Sequence, residues 1–165
     1  MTRPGSRPVA VFDIDGTLAD ARHRQHHLES RPRDWDAFFA GAPHDPPLPE
    51  GVARCLAAAE ECVVVYLTGR PERCRKDTLA WLAAQGLPEG RLLMRRGGDR
   101  RPARVTKLEV LRAIGRGRTI RMLVDDDELV CAAAEQAGFP VVRVDWAAGT
   151  TTAAMREAQQ RTGRT

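Results

Sequence analysis

Short apolar runs rich in β-branched residues alternate along this chain with segments of helical periodicity, and this alternation narrows the possible folds more than any other feature. Val9–Ile14 reads as a buried strand. Over Pro49–Glu61, Val52, Cys55, Leu56 and Ala59 recur at i, i+3, i+4 and i+7, the spacing of one helix face. Cys62–Leu67 is a continuous apolar run, as expected for a parallel strand covered on both sides. Pro71 suits the first turn of a helix that Gly86 closes. A strand near Arg91–Met94 and a helix from about Arg104 to Ile114 follow. Next come a strand at Ile120–Val124, a helix over Asp127–Ala137 with Gly138 at its C-terminal cap, and a last strand at Pro140–Val144. Repeated βα units predict an α/β protein, a three-layer α/β/α sandwich around a central parallel sheet.

At 165 residues the chain has room for one full-sized core. The expected organisation is a flexible basic N-terminus at 1–8, a folded unit over 9–148 and a peripheral helix or tail at 149–165. The one break in the alternation is 20–48, rich in His, Arg, Asp and Pro, with an amphipathic island at Trp35–Phe39. It is expected to form a short flap, and both a substrate-contacting role and a packed surface excursion stay open. The apolar run after the N-terminus is too short for a signal peptide or membrane span, so a cytoplasmic protein with no membrane partner is expected. Cys55, Cys62, Cys74 and Cys131 lack CxxC spacing and read as small buried apolar residues. His23, His26, His27 and His44 lack paired ligand spacing and read as solvated or substrate-gating.

In parallel α/β sheets ligands bind beyond the carboxyl ends of the strands. Three such ends carry polar residues here: Asp13/Asp15, Thr68/Arg70 and Asp125/Asp126/Asp127. In Asp13-Ile14-Asp15-Gly16-Thr17 the two carboxylates share a face of an extended strand, and Gly16 permits a sharp exit. Two acids and a free carbonyl suit a hard divalent cation, and one Asp can still act as a nucleophile. Taken alone, the pentapeptide is equally a glycine turn flanked by solvated acids. From Arg91 to Arg121 there are eleven basic residues and two acids, a surplus that would attract a phosphorylated or polyanionic substrate. The chain has 24 arginines and two lysines, Lys76 and Lys107, so the arginine content also reflects composition.

The ordered set Asp13-x-Asp15-Gly16-Thr17, Thr68, Lys107 and Asp125-Asp126 resembles the haloacid dehalogenase superfamily of phosphohydrolases, from Val9 to about Trp146. The resemblance implies a Rossmannoid core with a minimal cap and a Mg²⁺-dependent phosphatase. Asp13 would be the nucleophile and Asp15 the general acid and base. Thr68 and Lys107 would hold the phosphoryl oxygens. Asp13, the Asp15 backbone carbonyl and Asp125 would hold Mg²⁺, and Asp126 would orient Lys107 or a metal-bound water. Asp127 reads as the N-cap or first-turn acid of the helix that follows.

Leu67-Thr68-Gly69-Arg70 and Met94–Arg101, followed by Lys107, are further similar to the 3′-phosphatase domain of phage-type polynucleotide kinases. That similarity implies substrate contacts from Arg24, Gly69, Arg70 and Asp99, and a phosphorylated substrate such as a nucleic-acid 3′ end. For Arg70 and Asp99 a purely architectural role in the Gly97-Gly98 loop stays open. No G-x-x-x-x-G-K-[ST] run occurs in the 165 residues, so no kinase P-loop is expected. A small-metabolite phosphatase with the same chemistry and a receiver-like phospho-switch are the alternatives. An Asp two residues after the nucleophile on the first strand suits turnover better than storage.

Overall fold

The computed structural model describes residues 6–147 and 153–163. Residues 1–5 of the expected flexible N-terminus, and 149–152, 164 and 165 of the expected tail, lie outside them. Five parallel strands form one sheet: β1 (Val9–Phe12), β2 (Val63–Pro71), β3 (Arg91–Arg95), β4 (Ile120–Asp125) and β5 (Val141–Arg143), in the order β3-β2-β1-β4-β5. The helices are α1 (Trp35–Ala40), α2 (Pro49–Glu61), α3 (Arg75–Ala84), α4 (Ala103–Gly115), α5 (Glu128–Gln136) and α6 (Ala153–Thr162). The expected α/β sandwich is the one observed. Among the described residues no helix is long and apolar enough to cross a membrane.

Strand alternation divides the core between the two faces of the sheet. Ala10 and Phe12 of β1 join Val64, Tyr66, Cys55 and Trp81 in one apolar cluster. Val9 and Val11 join Val65, Leu67, Leu111, Leu123 and Val130 in the other. Because β1 is buried on both sides, all four of its residues are apolar. All four cysteines are free and buried, as expected.

One boundary differs from expectation. Pro71 is extended (φ −71°, ψ 154°) and ends β2 by pairing with Arg95, and α3 begins only after a 3₁₀ turn at Glu72–Cys74. Proline's fixed φ serves a strand end as well as a helix start, so the residue type alone does not separate them.

The 20–48 segment folds into a 3₁₀ stretch (Arg22–Leu28), α1 and a second 3₁₀ turn at Ala42–His44. It has a small core of its own, in which Leu28, Phe38 and Phe39 pack with Cys74 and with Met155 of α6. That core sets the segment over the carboxyl ends of the strands. The strand order turns at β1, since β2 and β3 lie to one side of it and β4 and β5 to the other. The crevice between β1 and β4 is therefore the switch point at which such sheets bind ligands.

Candidate active site

Where β1 ends, the chain makes a tight turn in which the Ile14 carbonyl accepts from the amides of Thr17, Leu18 and Ala19. Gly16 sits at φ +83°, and a Cβ there would run into the Asp126 carboxylate. This turn needs glycine for conformation and for space. It leaves Asp13 and Asp15 almost fully buried, each in a charge cluster of its own.

The first cluster joins the ends of β1 and β4. Asp13, Asp125 and Asp126 each offer a carboxylate oxygen within 4.8 Å of the others. Lys107, from the second turn of α4, is buried, and its Nζ donates to Asp13 Oδ1 at 2.8 Å and Asp125 Oδ2 at 2.7 Å. Thr17 Oγ1 donates to the other Asp13 oxygen at 3.2 Å. Burial raises the Asp13 carboxyl against the pull of Lys107. Burial, then Asp13, pushes Asp125 up to about 7. Burial, Asp13 and Asp125 raise Asp126 well above its ordinary range. Burial alone would discharge Lys107, but Asp125 and Asp13 outweigh it and hold the ammonium protonated. Three carboxylates on one ammonium leave two surplus negative charges when all are ionised, and Asp126 Oδ1 is buried without a hydrogen-bond partner among the described residues. This all-oxygen donor set fits a hard divalent cation.

The second cluster is closed. Asp15 accepts from Arg70 Nη2 at 2.6 Å and Arg24 Nη2 at 2.7 Å. Both guanidiniums also bind Asp45, through Arg24 Nε and Nη2 at 2.7 Å and Arg70 Nη2 at 2.9 Å. Arg24 and Arg70 are each 1% exposed. His23 Nε2 lies 2.7 Å from Asp45 Oδ1, and the Trp81 indole donates to the Asp45 carbonyl at 2.8 Å. Burial would raise Asp15, but Arg70 and Arg24 hold it far below the usual carboxylate range. Asp15 is ionised.

The structure thus gathers Asp13, Lys107, Asp125 and Asp126 at one point, and Asp15, Arg24 and Arg70 at another beside it. Thr68 is buried in the carboxyl-terminal half of β2 and accepts from the Arg70 amide at 3.2 Å. The Gly69 carbonyl accepts from Arg95 Nε at 3.1 Å. Lys107 is held by Asp125 and Asp13, whereas Asp126 enters the acid cluster as its third carboxylate. Asp99 belongs to its own loop, where it accepts from the Arg101 amide at 3.1 Å and pairs with the Arg101 guanidinium at 2.8 Å. Asp127 is the N-cap of α5, accepting from Leu129 and Val130.

Sequence reasoning missed Asp45. It lies among His44, Pro46 and Pro47 in an irregular stretch, so no periodicity or motif singles it out. It becomes visible only when the fold brings Arg24 and Arg70, 21 and 25 positions away, onto its carboxylate.

The family model for the polynucleotide kinase PNKP phosphatase domain matches residues 7–148. No curated protein matches the chain. Among solved structures, the Pnkp1/Rnl/Hen1 RNA repair complex contains a chain similar at TM-score 0.69 and 24% identity, over 87% of this chain and 44% of that one. A second Pnkp1/Rnl/Hen1 complex gives 0.66 and 25%, over 83% and 45%. The haloacid dehalogenase-like family protein SP0104 from Streptococcus pneumoniae gives 0.58 and 12%, over 93% and 91%. The chain spans less than half the length of the Pnkp1-complex chains it matches. With the family model covering most of the sequence and the acid cluster at the switch point of the sheet, the chain belongs to the PNKP phosphatase-domain family of haloacid dehalogenase-like hydrolases and is a phosphatase.

Proposed function

We propose that this phosphatase is a Mg²⁺-dependent phosphomonoesterase that works through an aspartyl-phosphate and acts on the 3′-phosphate end of a polynucleotide. The observation that carries the chemistry is the acid cluster, whose three carboxylates, when all are ionised, exceed the single Lys107 charge by two, the charge of one divalent cation. The substrate reading leans on the family match and on the neighbours named in an RNA repair complex. The basic surplus over 91–121 agrees with it.

In this mechanism a carboxylate oxygen of Asp13 attacks the phosphorus. The Asp13–phosphorus bond forms as the bond to the leaving alkoxide breaks, and Asp15 gives that alkoxide its proton. Asp15, now a carboxylate, takes a proton from the water that hydrolyses the acyl phosphate, which frees inorganic phosphate and restores Asp13. In the structure Asp15 is in this second, basic form because Arg70 and Arg24 are closed on it. An arriving phosphate competes for those two guanidiniums and weakens the contacts that keep Asp15 ionised. Arginine forks match pairs of phosphate oxygens, so the same turn of Arg24 and Arg70 grips the substrate. Thr68 and Lys107 hold non-bridging oxygens, where charge spreads in a loose transition state. Asp13, Asp125 and the Asp15 backbone carbonyl, with Asp126, would hold Mg²⁺, which neutralises phosphate charge.

The test is a panel of 3′-phosphorylated and 5′-phosphorylated oligonucleotides, nucleoside monophosphates and sugar phosphates, assayed with Mg²⁺ and with EDTA. The expected result is the highest kcat/KM on the 3′-phosphorylated oligonucleotide and background rates in chelator. Turnover undiminished in EDTA overturns the metal assignment. A preference for sugar phosphates transfers the activity to a small metabolite.

A further inference from the structure

A groove of about 350 Å³ runs between α1 and the loop joining β3 to α4, lined by Trp35, Phe39, Pro71, Arg95, Gly98 and Arg100 among others. We propose that this groove binds the nucleotide bearing the reacting phosphate, with its base against the Trp35–Phe39 wall and the preceding backbone phosphate on Arg96 and Arg100. The inference rests on the polynucleotide reading above and adds to it a subsite outside the acid cluster.

Both walls are built on chain neighbours of site residues. Pro71 follows Arg70, and Arg95, which also lines the groove, donates to the Gly69 carbonyl. On the opposite wall, the Phe38 ring lies 4.3 Å from the Arg24 guanidinium carbon and the Phe38 carbonyl accepts from Arg24 at 3.4 Å. Phe39, the next residue, lines the groove. A substrate whose phosphate reaches Arg24 and Arg70 therefore has the groove beside it.

The chemistry of the walls selects a flat ring attached to an anion. Trp35 is half-buried and stacks on Phe39, with ring centroids 5.8 Å apart and planes at 22°. Aromatic faces of this kind stack any base without reading its identity. The two acids of the groove are already engaged, Asp36 by Arg73 at 2.7 Å and Glu72 by Arg75 at 2.8 Å. Arg100 lines the groove and Arg96 lies on the same loop; both are exposed and neither guanidinium has a partner among the described residues, so this loop keeps a positive surplus. Between them a Cβ at Gly97 or Gly98 would meet nothing within 4 Å, so the rim is open at that point. The volume lies within the range of small-molecule clefts, about 300–1,000 Å³, and admits one nucleoside.

The experiment compares kcat/KM for 3′-phosphorylated oligonucleotides whose terminal nucleotide carries a base or is abasic. Alongside it, the anisotropy of a labelled 3′-hydroxyl oligonucleotide reports binding without turnover. Wild type should favour the base-bearing substrate by about tenfold. Trp35→Ala should bring that ratio close to one, and because it is a ratio, general damage to the variant cancels. Trp35→Phe keeps an aromatic face and should keep most of the preference. Arg96→Ala with Arg100→Ala should flatten the salt dependence of oligonucleotide binding, lowering the log–log slope by about one to two. A base preference unchanged in Trp35→Ala, or a salt slope unchanged in the double variant, overturns the groove assignment while leaving the phosphatase reading intact. If wild type does not hydrolyse the 3′-phosphorylated oligonucleotide, the polynucleotide reading fails, and anisotropy decides the groove. Binding that Trp35→Ala weakens and Trp35→Phe restores supports it, and absent or variant-insensitive binding overturns it.

Discussion

Two buried charge clusters lie side by side at the ends of β1, and they are balanced differently. Asp15 and Asp45 face two guanidiniums, Arg24 and Arg70, so their formal charges cancel. Among the described residues, Asp13, Asp125 and Asp126 face a single cation, Lys107. Removing one partner from a matched buried pair strands its counterpart, whereas removing an acid from an over-acidic cluster relieves it. The first arrangement is a framework that holds two arginine forks. The second has an all-oxygen donor set that fits a cation. The same residue type, aspartate, is therefore expected to act on stability in opposite directions two residues apart.

The largest expected effect tests the over-acidic side. Asp13→Asn should reduce turnover to background, because an amide cannot form the covalent intermediate. Activity above a small percentage of wild type, with deamidation back to Asp excluded by mass spectrometry, would remove Asp13 as nucleophile.

The next breaks the balanced side. Asp45→Ala leaves Arg24 and Arg70 with one carboxylate between them and should destabilise the fold by about 3–5 kcal/mol. Urea denaturation measures this, and a loss under about 1 kcal/mol would show that solvent reaches the pair and the network is not a framework.

A third variant sharpens the contrast through its sign. Asp126→Asn should raise the melting temperature of EDTA-treated protein, since it removes one of three crowded carboxylates. It should also weaken Mg²⁺ binding by about tenfold or more, read from titration calorimetry. A lowered melting temperature in chelator would contradict the charge accounting. The smallest effect is Asp127→Ala, which removes the α5 cap and should cost about 1 kcal/mol while leaving Mg²⁺ affinity near wild type.

Much of the architecture is legible in the chain because the physics that forms it is local. The apolar runs of β1, β2 and β4 and the periodic faces of α2 and α4 are visible at their own spacing. Asp127 is recognisable as a cap because capping acts over three residues. Asp13, Asp125 and Asp126 are legible as a group because each follows an apolar strand, and strand ends of a parallel sheet converge. Pro71 reads in sequence as a helix start because its pairing partner, Arg95, is 24 residues away. Asp45 was invisible because nothing next to it in sequence explains it.

By itself the sequence determined the alternation of strands and helices, the burial of the sheet on both faces and the placement of acids at strand ends. These depend on side-chain periodicity and local turn chemistry, including the glycine that Gly16 has to be. The tertiary structure alone decided which charges meet which. The order β3-β2-β1-β4-β5 puts β1 beside β4, so Asp13 meets Asp125 and Asp126. The packing of α4 brings Lys107 to Asp13 from 94 residues away. The folding of the insert carries Arg24 and Asp45 over Asp15, and electrostatic energy depends on these distances in space, which separation along the chain does not specify.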